Sequence, residues 1–288
     1  RQATLYVPDR IDEGYGPNVP AMQALGAEHD LIICVDCGTL SHEPVAAAGC
    51  DVVILDHHLG GETLPDCVAC VNPNRQDESG ALAHLCAAAV VFLMLVEANR
   101  QLRERGVKGP DLMGMLDLVA LATVADVAPL IGVNRALVRQ GLRVMARRER
   151  PGLAALADIG RLTTAPSSYH LGYVLGPRIN AGGRVGRADL GARLLSTTDP
   201  HEAQAMAEQA GVQPDGTIKP VSGSELEAFL TRWMPQLTKY IASNYPPRYA
   251  FDYQNGPYLA TLNRLSKGRK IPRTDQTGLL PAQKHAVA

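Results

Sequence analysis

Neither sign of charge is in excess in this chain: 28 lysines and arginines stand against 29 aspartates and glutamates in 288 residues, a formal net charge of −1. That balance excludes attraction of nucleic acid by an overall field, so phosphate contacts would have to come from local patches. No apolar stretch of about 18 residues runs free of polar or helix-breaking positions, which argues against a membrane span. No secretory signal is visible. The Gly-Lys-Ser/Thr that would complete a Walker A loop is also absent. With 46% hydrophobic and 20% charged residues, the chain can bury one sizeable core or two smaller ones. These features predict a soluble, cytoplasmic protein.

Cysteine is present but short of a zinc pattern. Cys34/Cys37 and Cys67/Cys70 have the Cys-x-x-Cys spacing, yet neither pair encloses the glycine of a zinc knuckle. Cys34 falls inside an expected strand, where residues three apart point to opposite faces. Reduced, partly buried thiols are the expectation.

What the sequence does contain is a recurrent placement of acids. Leu31-Ile32-Ile33-Cys34-Val35 closes on Asp36, and Val52-Val53-Ile54-Leu55 closes on Asp56-His57-His58. Each run has the length and β-branched content of a buried strand. Parallel sheets present ligands at the carboxyl ends of their strands, so Asp36 and His57 can meet in one crevice. A carboxylate and an imidazole there suit a divalent transition metal, Mn²⁺ or Zn²⁺. A third acid, Asp126, ends the apolar helix expected over Met115–Ala125, with Pro129 beyond it. A carboxylate at a helix C-terminus faces the unfavourable end of the dipole unless a cation compensates, which makes Asp126 a candidate third ligand.

Strands and helices alternate through residues 1–135. Strands are expected at Leu5–Pro8, up to Asp36, up to Asp56 and near Cys67–Val71. Helices are expected near Val19–Ala27, Glu43–Ala48 and Leu82–Glu104. The order argues for an α/β fold, a parallel sheet with helices on both faces. Because Val90–Val96 is apolar all round, the long helix is expected to be buried.

Val35-Asp36-Cys37-Gly38, Asp56-His57-His58 and Val124-Ala125-Asp126-Val127 resemble consecutive motifs of the DHH phosphoesterase superfamily. Pro8-Asp9-Arg10, Asp12-Glu13-Gly14-Tyr15-Gly16, Asn72-Pro73-Asn74 and Leu175–Arg184 narrow the resemblance to its single-strand-DNA-specific exonucleases, over about Leu5 to Gln209. The resemblance implies 5′→3′ hydrolysis of phosphodiester bonds in single-stranded DNA during repair and recombination. It implies two Mn²⁺ (or Mg²⁺) ions, with Asp36, His57 and Asp126 among their ligands. His58, on the other side of the strand end, would contact the scissile phosphate, and Asp56 would orient a ligand. Arg178, Asn180, Gly183 and Arg184 would hold the DNA backbone. Single-strand-binding protein and a helicase are the implied working partners. Such enzymes also carry an earlier strand ending in Asp-x-Asp-x-(Asp)-Gly. This chain starts beyond it, so truncation at the N-terminus and impaired activity are expected. Two alternatives stay open: a nanoRNase or phosphoadenosine phosphate phosphatase of the same superfamily, and a non-catalytic nucleic-acid-binding fragment.

The expected domains are a phosphoesterase core over 1–135, a connecting helix with the start of a smaller substrate-binding domain over 136–209, and a tail of uncertain fold over 210–288. In the connection, Arg135, Arg139, Arg143 and Arg147 align on one helix face, a solvated stripe that could also meet phosphates. Gly176–Arg187 reads as a glycine-rich segment whose backbone approaches a phosphate while Arg178, Arg184 and Arg187 neutralise it. Beyond Gln209 the pattern changes, with a helix around Trp233 and a helicase-like Thr274–Lys284, and suggests a chimeric reading frame.

Overall fold

Three apolar runs pair into a parallel sheet. In the computed structural model, which describes residues 3–9, 13–185 and 187–210, α1 (Val19–Glu28) leads into β1 (Leu31–Val35), α2 (His42–Ala46), β2 (Asp51–Leu55) and β3 (Ala69–Val71). Strand order is β1-β2-β3. Val35 is opposite Leu55 and Leu55 opposite Val71, so Asp36, Asp56 and Asn72 leave the sheet side by side at its carboxyl edge.

Asn18 caps α1 by accepting from the Ala21 N–H at 2.9 Å, with Pro20 in the first turn. Met22 of α1 and Val45 of α2 pack on Cys34, Val52, Ile54 and Cys70, burying one face of the sheet. A third helix, α3 (Ala87–Glu104), contacts β1 and β2. Leu31, Ile33 and Val35 of β1 remain 46%, 51% and 53% exposed among the described residues.

A 3₁₀ turn (Met113–Met115) leads into α4 (Leu116–Ala125) and α5 (Gly132–Met145). These two pack so closely that a Cβ at Gly141 would lie 2.1 Å from the Leu116 carbonyl oxygen. Leu85, Val90, Phe92, Leu116, Val119, Leu137 and Val144 form the core between α3, α4 and α5. The chain continues through α6 (Pro151–Ile159), α7 (Ser168–His170), a π-helical turn (Leu171–Leu175), α8 (Gly176–Val185), α9 (Leu190–Ser196) and α10 (Pro200–Gln209). A second core joins α6 to α10 with the ends of α4 and α5. Arg150 ties these parts together by a two-pronged bond to the buried Asp117 carboxylate, at 2.8 and 3.1 Å, and a bond to the Leu195 carbonyl at 3.3 Å. Among the described residues, no helix is long and apolar enough to cross a membrane.

Several expectations need correction. Leu5–Pro8 is not a strand. Leu5 and Tyr6 are exposed, and no described strand pairs with them, so their extended propensity has no ladder to join. The long helix begins at Ala87, not Leu82. The carbonyls of Ala83, His84 and Leu85 accept instead from Asn74, Asn134 and His57, which removes the acceptors a first helical turn requires. That helix is also only partly covered, since Val96 is exposed and Val91 and Leu95 line a cavity. The glycine-rich segment Gly176–Val185 is helical, and Gly176 lets its backbone press on α4, where an added Cβ would sit 3.1 Å from Ala125 Cβ. The expectations for residues 211–288, including the helix around Trp233 and the Thr274–Lys284 segment, lie outside the described residues.

Candidate metal centre

The sheet edge turns sharply after β1. Asp36 adopts φ 61°, a left-handed conformation that aspartate tolerates better than most residues. Its N–H still donates to the Leu55 carbonyl at 3.0 Å, so the strand ladder runs up to the turn. The same turn folds Cys37 back onto the core cluster that contains Cys34, which strand alternation alone would not allow. All six cysteines are free thiols.

Asp126 is set by a different device. It caps the C-terminus of α4, and the following N–H groups close a Schellman pair: Val127 N–H to Val124 carbonyl at 3.1 Å and Ala128 N–H to Thr123 carbonyl at 3.1 Å. The left-handed position in that motif is occupied by Val127, φ 57°, although a β-branched side chain is disfavoured there. This strained ending brings Asp126 to the mouth of the sheet.

His57 sits between the two acids. Its Nε2 lies 3.2 Å from Asp36 Oδ1 and 3.6 Å from Asp126 Oδ2. Its Nδ1 lies 3.1 Å from the Leu85 carbonyl oxygen, an acceptor that requires the proton on Nδ1. With Nδ1 committed to that carbonyl, Nε2 is the ring atom presented to the two carboxylates, as a metal ligand would be. Imidazole nitrogen and carboxylate oxygens are the donor set that Mn²⁺ and Zn²⁺ accept, so these residues fit a divalent ion.

His58 joins the same group rather than lying on the far side of the strand end. Asp36, His57 and His58 each offer a ligand atom within 4.8 Å of the others. The His58 Nδ1 is engaged with Asp56 Oδ1 at 2.7 Å. Burial opposes a charge on His58, but the Asp56 hydrogen bond and the Asp56, Asp36 and Asp126 charges prevail and raise its pKa. Desolvation raises the Asp36 pKa against the pull of His57 and His58, with Asp126 and Asp56 adding to the rise.

Asp56 orients His58, not the His57 ring. It is 1% exposed, and its oxygens receive the Thr39 hydroxyl at 2.7 Å, the Thr39 N–H at 3.1 Å and the His57 N–H at 2.8 Å. Desolvation alone would push this carboxyl up, but the bonds from Thr39, His58 and the backbone outweigh it and hold the pKa at about 2. Beneath it, Asn72 donates to Thr39 Oγ1 at 2.9 Å and to the His58 carbonyl at 2.8 Å, while Asn74 donates to the His57 carbonyl at 2.6 Å. Thr39, Asn72, Asn74 and the Leu85 carbonyl were not assigned a role from the sequence. The Asn-Pro-Asn tripeptide was the available signal, because buried asparagines after a strand must find backbone partners.

A cavity of about 710 Å³ opens beside the cluster, with Tyr15, Asp36, Asp126 and Asn180 at its polar end and residues such as Val91, Phe92 and Leu118 along its apolar wall. Asn180 therefore lines the same cavity as Asp36 and Asp126. Arg178 donates to the Val174 carbonyl at 2.7 Å, and desolvation lowers its pKa. Gly183 and Arg184 fall in a stretch of α8 whose side chains lie outside the described residues. Arg135, Arg139, Arg143 and Arg147 are exposed, the last just past the end of α5.

Strand-end carboxylates and a His-His pair stand together on a parallel sheet, and the comparison with known families agrees with that class: residues 1–123 match the DHH family, N-terminal domain. Within it, the similarity is to the single-stranded-DNA-specific exonuclease RecJ. The Dickeya dadantii protein is 39% identical over 241 residues, 79% of this chain and 42% of that protein. The Escherichia coli protein is 37% identical over 236 residues, 77% of this chain and 41% of that protein. A crystal structure of exonuclease RecJ bound to manganese superposes with a TM-score of 0.61 at 29% identity, covering 84% of this chain and 58% of the other. The chain thus spans about two fifths of the length of these curated relatives.

Proposed function

We propose that this chain carries the metal-binding and phosphate-holding core of a RecJ-type exonuclease that hydrolyses single-stranded DNA from the 5′ end. The observation that carries the reading is His57, with Nδ1 committed to the Leu85 carbonyl and Nε2 aimed at Asp36 and Asp126. Those three residues would hold Mn²⁺ or Mg²⁺, with two ions in the complete centre. Ions bound there lower the pKa of a water and offset charge developing on phosphate oxygens.

The other roles follow from the chain's own residues. His58, oriented by Asp56 and favoured in its protonated form, would donate to a non-bridging oxygen of the scissile phosphate. Asn180, at the cavity mouth, would bond a neighbouring phosphate, with Arg178, Gly183 and Arg184 along the same helix. Such contacts position the strand without reading its bases. On this reading, residues 1–135 are the phosphoesterase core, 136–209 the connection and the start of a substrate-binding domain, and 210–288 a separate tail. Single-strand-binding protein and a helicase are the partners the activity calls for.

Mn²⁺ titration of the 288-residue chain, followed by the electron-paramagnetic-resonance signal of free ion, tests the centre. Asp36→Asn, His57→Ala and Asp126→Asn should each weaken binding by at least about tenfold; unchanged affinity in all three sinks the reading. Mn²⁺-dependent release of nucleotide from a 5′-labelled strand before a 3′-labelled one tests the polarity, and the opposite order refutes it.

A further inference from the structure

The helical run from Ser168 to Val185 carries an aromatic pair that neither the metal cluster nor the core uses. Tyr169 and Tyr173 stack with ring centroids 5.2 Å apart and planes at 29°. Both rings are exposed among the described residues, at 62% and 74%. Isolated exposed aromatics are ordinary, but two stacked rings left to water form a preformed flat surface. The base of the pair is fixed. The Ser167 hydroxyl and N–H lie 3.0 and 3.1 Å from His170 Nδ1, and the His170 ring meets Tyr169 edge-on at 5.8 Å.

The location gives the pair a use. Gly172 and Gly176 bring this run against the end of α4: an added Cβ would lie 3.4 Å from Val124 Cγ1 at the first and 3.1 Å from Ala125 Cβ at the second. Val124 and Ala125 immediately precede Asp126. One more step of four residues reaches Asn180, which lines the cavity with Asp36 and Asp126. Gly172, Gly176 and Asn180 thus mark the side of the run that faces the centre. Tyr169 and Tyr173 lie roughly a quarter turn around from it, and Tyr173 stands about 10 Å from Asn180 along the axis at 1.5 Å per residue. At about 3.4 Å per stacked nucleotide, that distance corresponds to about three nucleotides. The π-helical turn between Leu171 and Leu175 lies in the same place, and such turns often occur at functional sites.

We propose that Tyr169 and Tyr173 form a base-stacking platform that grips nucleobases of the single strand about three nucleotides from the phosphate held at the metal centre. The proposal rests on the single-stranded-DNA reading above and deepens it. Every base has a π-face, so the platform binds without sequence preference, and paired bases of a duplex cannot reach it. It therefore supplies a preference for single strands that phosphate contacts cannot.

The test uses the 288-residue chain and a fluorescent oligothymidylate in EDTA, where binding is read without hydrolysis. Tyr169→Ala and Tyr173→Ala should each weaken binding roughly ten- to hundredfold, while Tyr169→Phe and Tyr173→Phe bind like the parent. The slope of affinity against salt should not change, because no phosphate contact is lost. A strand containing 5-iododeoxyuridine, irradiated on the parent chain, should crosslink to the peptide bearing Tyr169 and Tyr173; this keeps the test decisive even if an alanine variant fails to fold. Folded alanine variants that bind like the parent, or a crosslink mapping elsewhere, overturn the platform and leave the exonuclease reading standing. A parent chain that binds no single strand overturns both.

Discussion

Replacing Asp56 with asparagine removes one charge and almost no volume, which makes it the cleanest probe of how the sheet edge is held. The carboxylate receives bonds from Thr39 Oγ1, the Thr39, His57 and His58 N–H groups and His58 Nδ1. Its folded-state pKa of about 2, against an ordinary 3.8, corresponds to roughly 2 kcal/mol of stability at neutral pH, at 1.36 kcal/mol per unit. An asparagine oxygen can replace one carboxylate oxygen, but its NH₂ then faces donors on the other side, adding about 1 kcal/mol or more. The expected loss for Asp56→Asn at pH 7 is about 3–4 kcal/mol.

The pH dependence follows from the sign of the shift. A depressed carboxylate stabilises the fold fully above its unfolded pKa and loses that contribution as pH falls towards the folded one. About half of that contribution should be gone by pH 3, and most of it by pH 2. Urea unfolding of both proteins at pH 7, 5, 4 and 3, read by circular dichroism, isolates this group, because other carboxylates titrate alike in each. The gap between wild type and Asp56→Asn should be largest near pH 5, where the ionised Asp56 also faces a protonated His58, and should shrink below pH 4. A gap under 1 kcal/mol at pH 7, or one that stays constant down to pH 3, would refute the account of Asp56 as an ionised hub.

Two further substitutions probe the frame around the centre. Val127→Gly removes a left-handed β-branched residue whose side chain is exposed. It should stabilise the fold by about 0.5–1 kcal/mol in urea unfolding while relaxing the turn that aims Asp126; a destabilised variant would show that Val127 makes contacts that offset its strain. Arg150→Ala strands the buried Asp117 carboxylate, so it should cost about 3 kcal/mol. A loss below 1 kcal/mol would mean that Asp117 finds water or another donor.

The parts of the centre that could be read in advance were those a single chain period controls. Apolar β-branched runs ending in Asp36 and Asp56 specify strands, and a parallel register carries both acids to one edge. Asp126 follows from an apolar helix with a proline beyond it. What could not be read depends on one element taking a hydrogen-bonding group from another. The start of α3 moved by five residues because Asn74, Asn134 and His57 capture the carbonyls of Ala83, His84 and Leu85. None of those partners is near in sequence to all three acceptors. The same logic explains the two turns. Asp36 and Val127 adopt left-handed backbone that local propensity disfavours, and the strand alternation that separated Cys34 from Cys37 and placed His58 apart from His57 fails where the chain leaves the sheet. In Gly176–Val185 the glycines read as allowing close approach to a phosphate include one, Gly176, that serves close packing on Ala125 within a helix. The departures from local rules therefore gather around His57. A site that must aim an imidazole at two carboxylates has to draw its restraints from strand, turn and helix at once, and each restraint overrides a preference that was legible in its own segment.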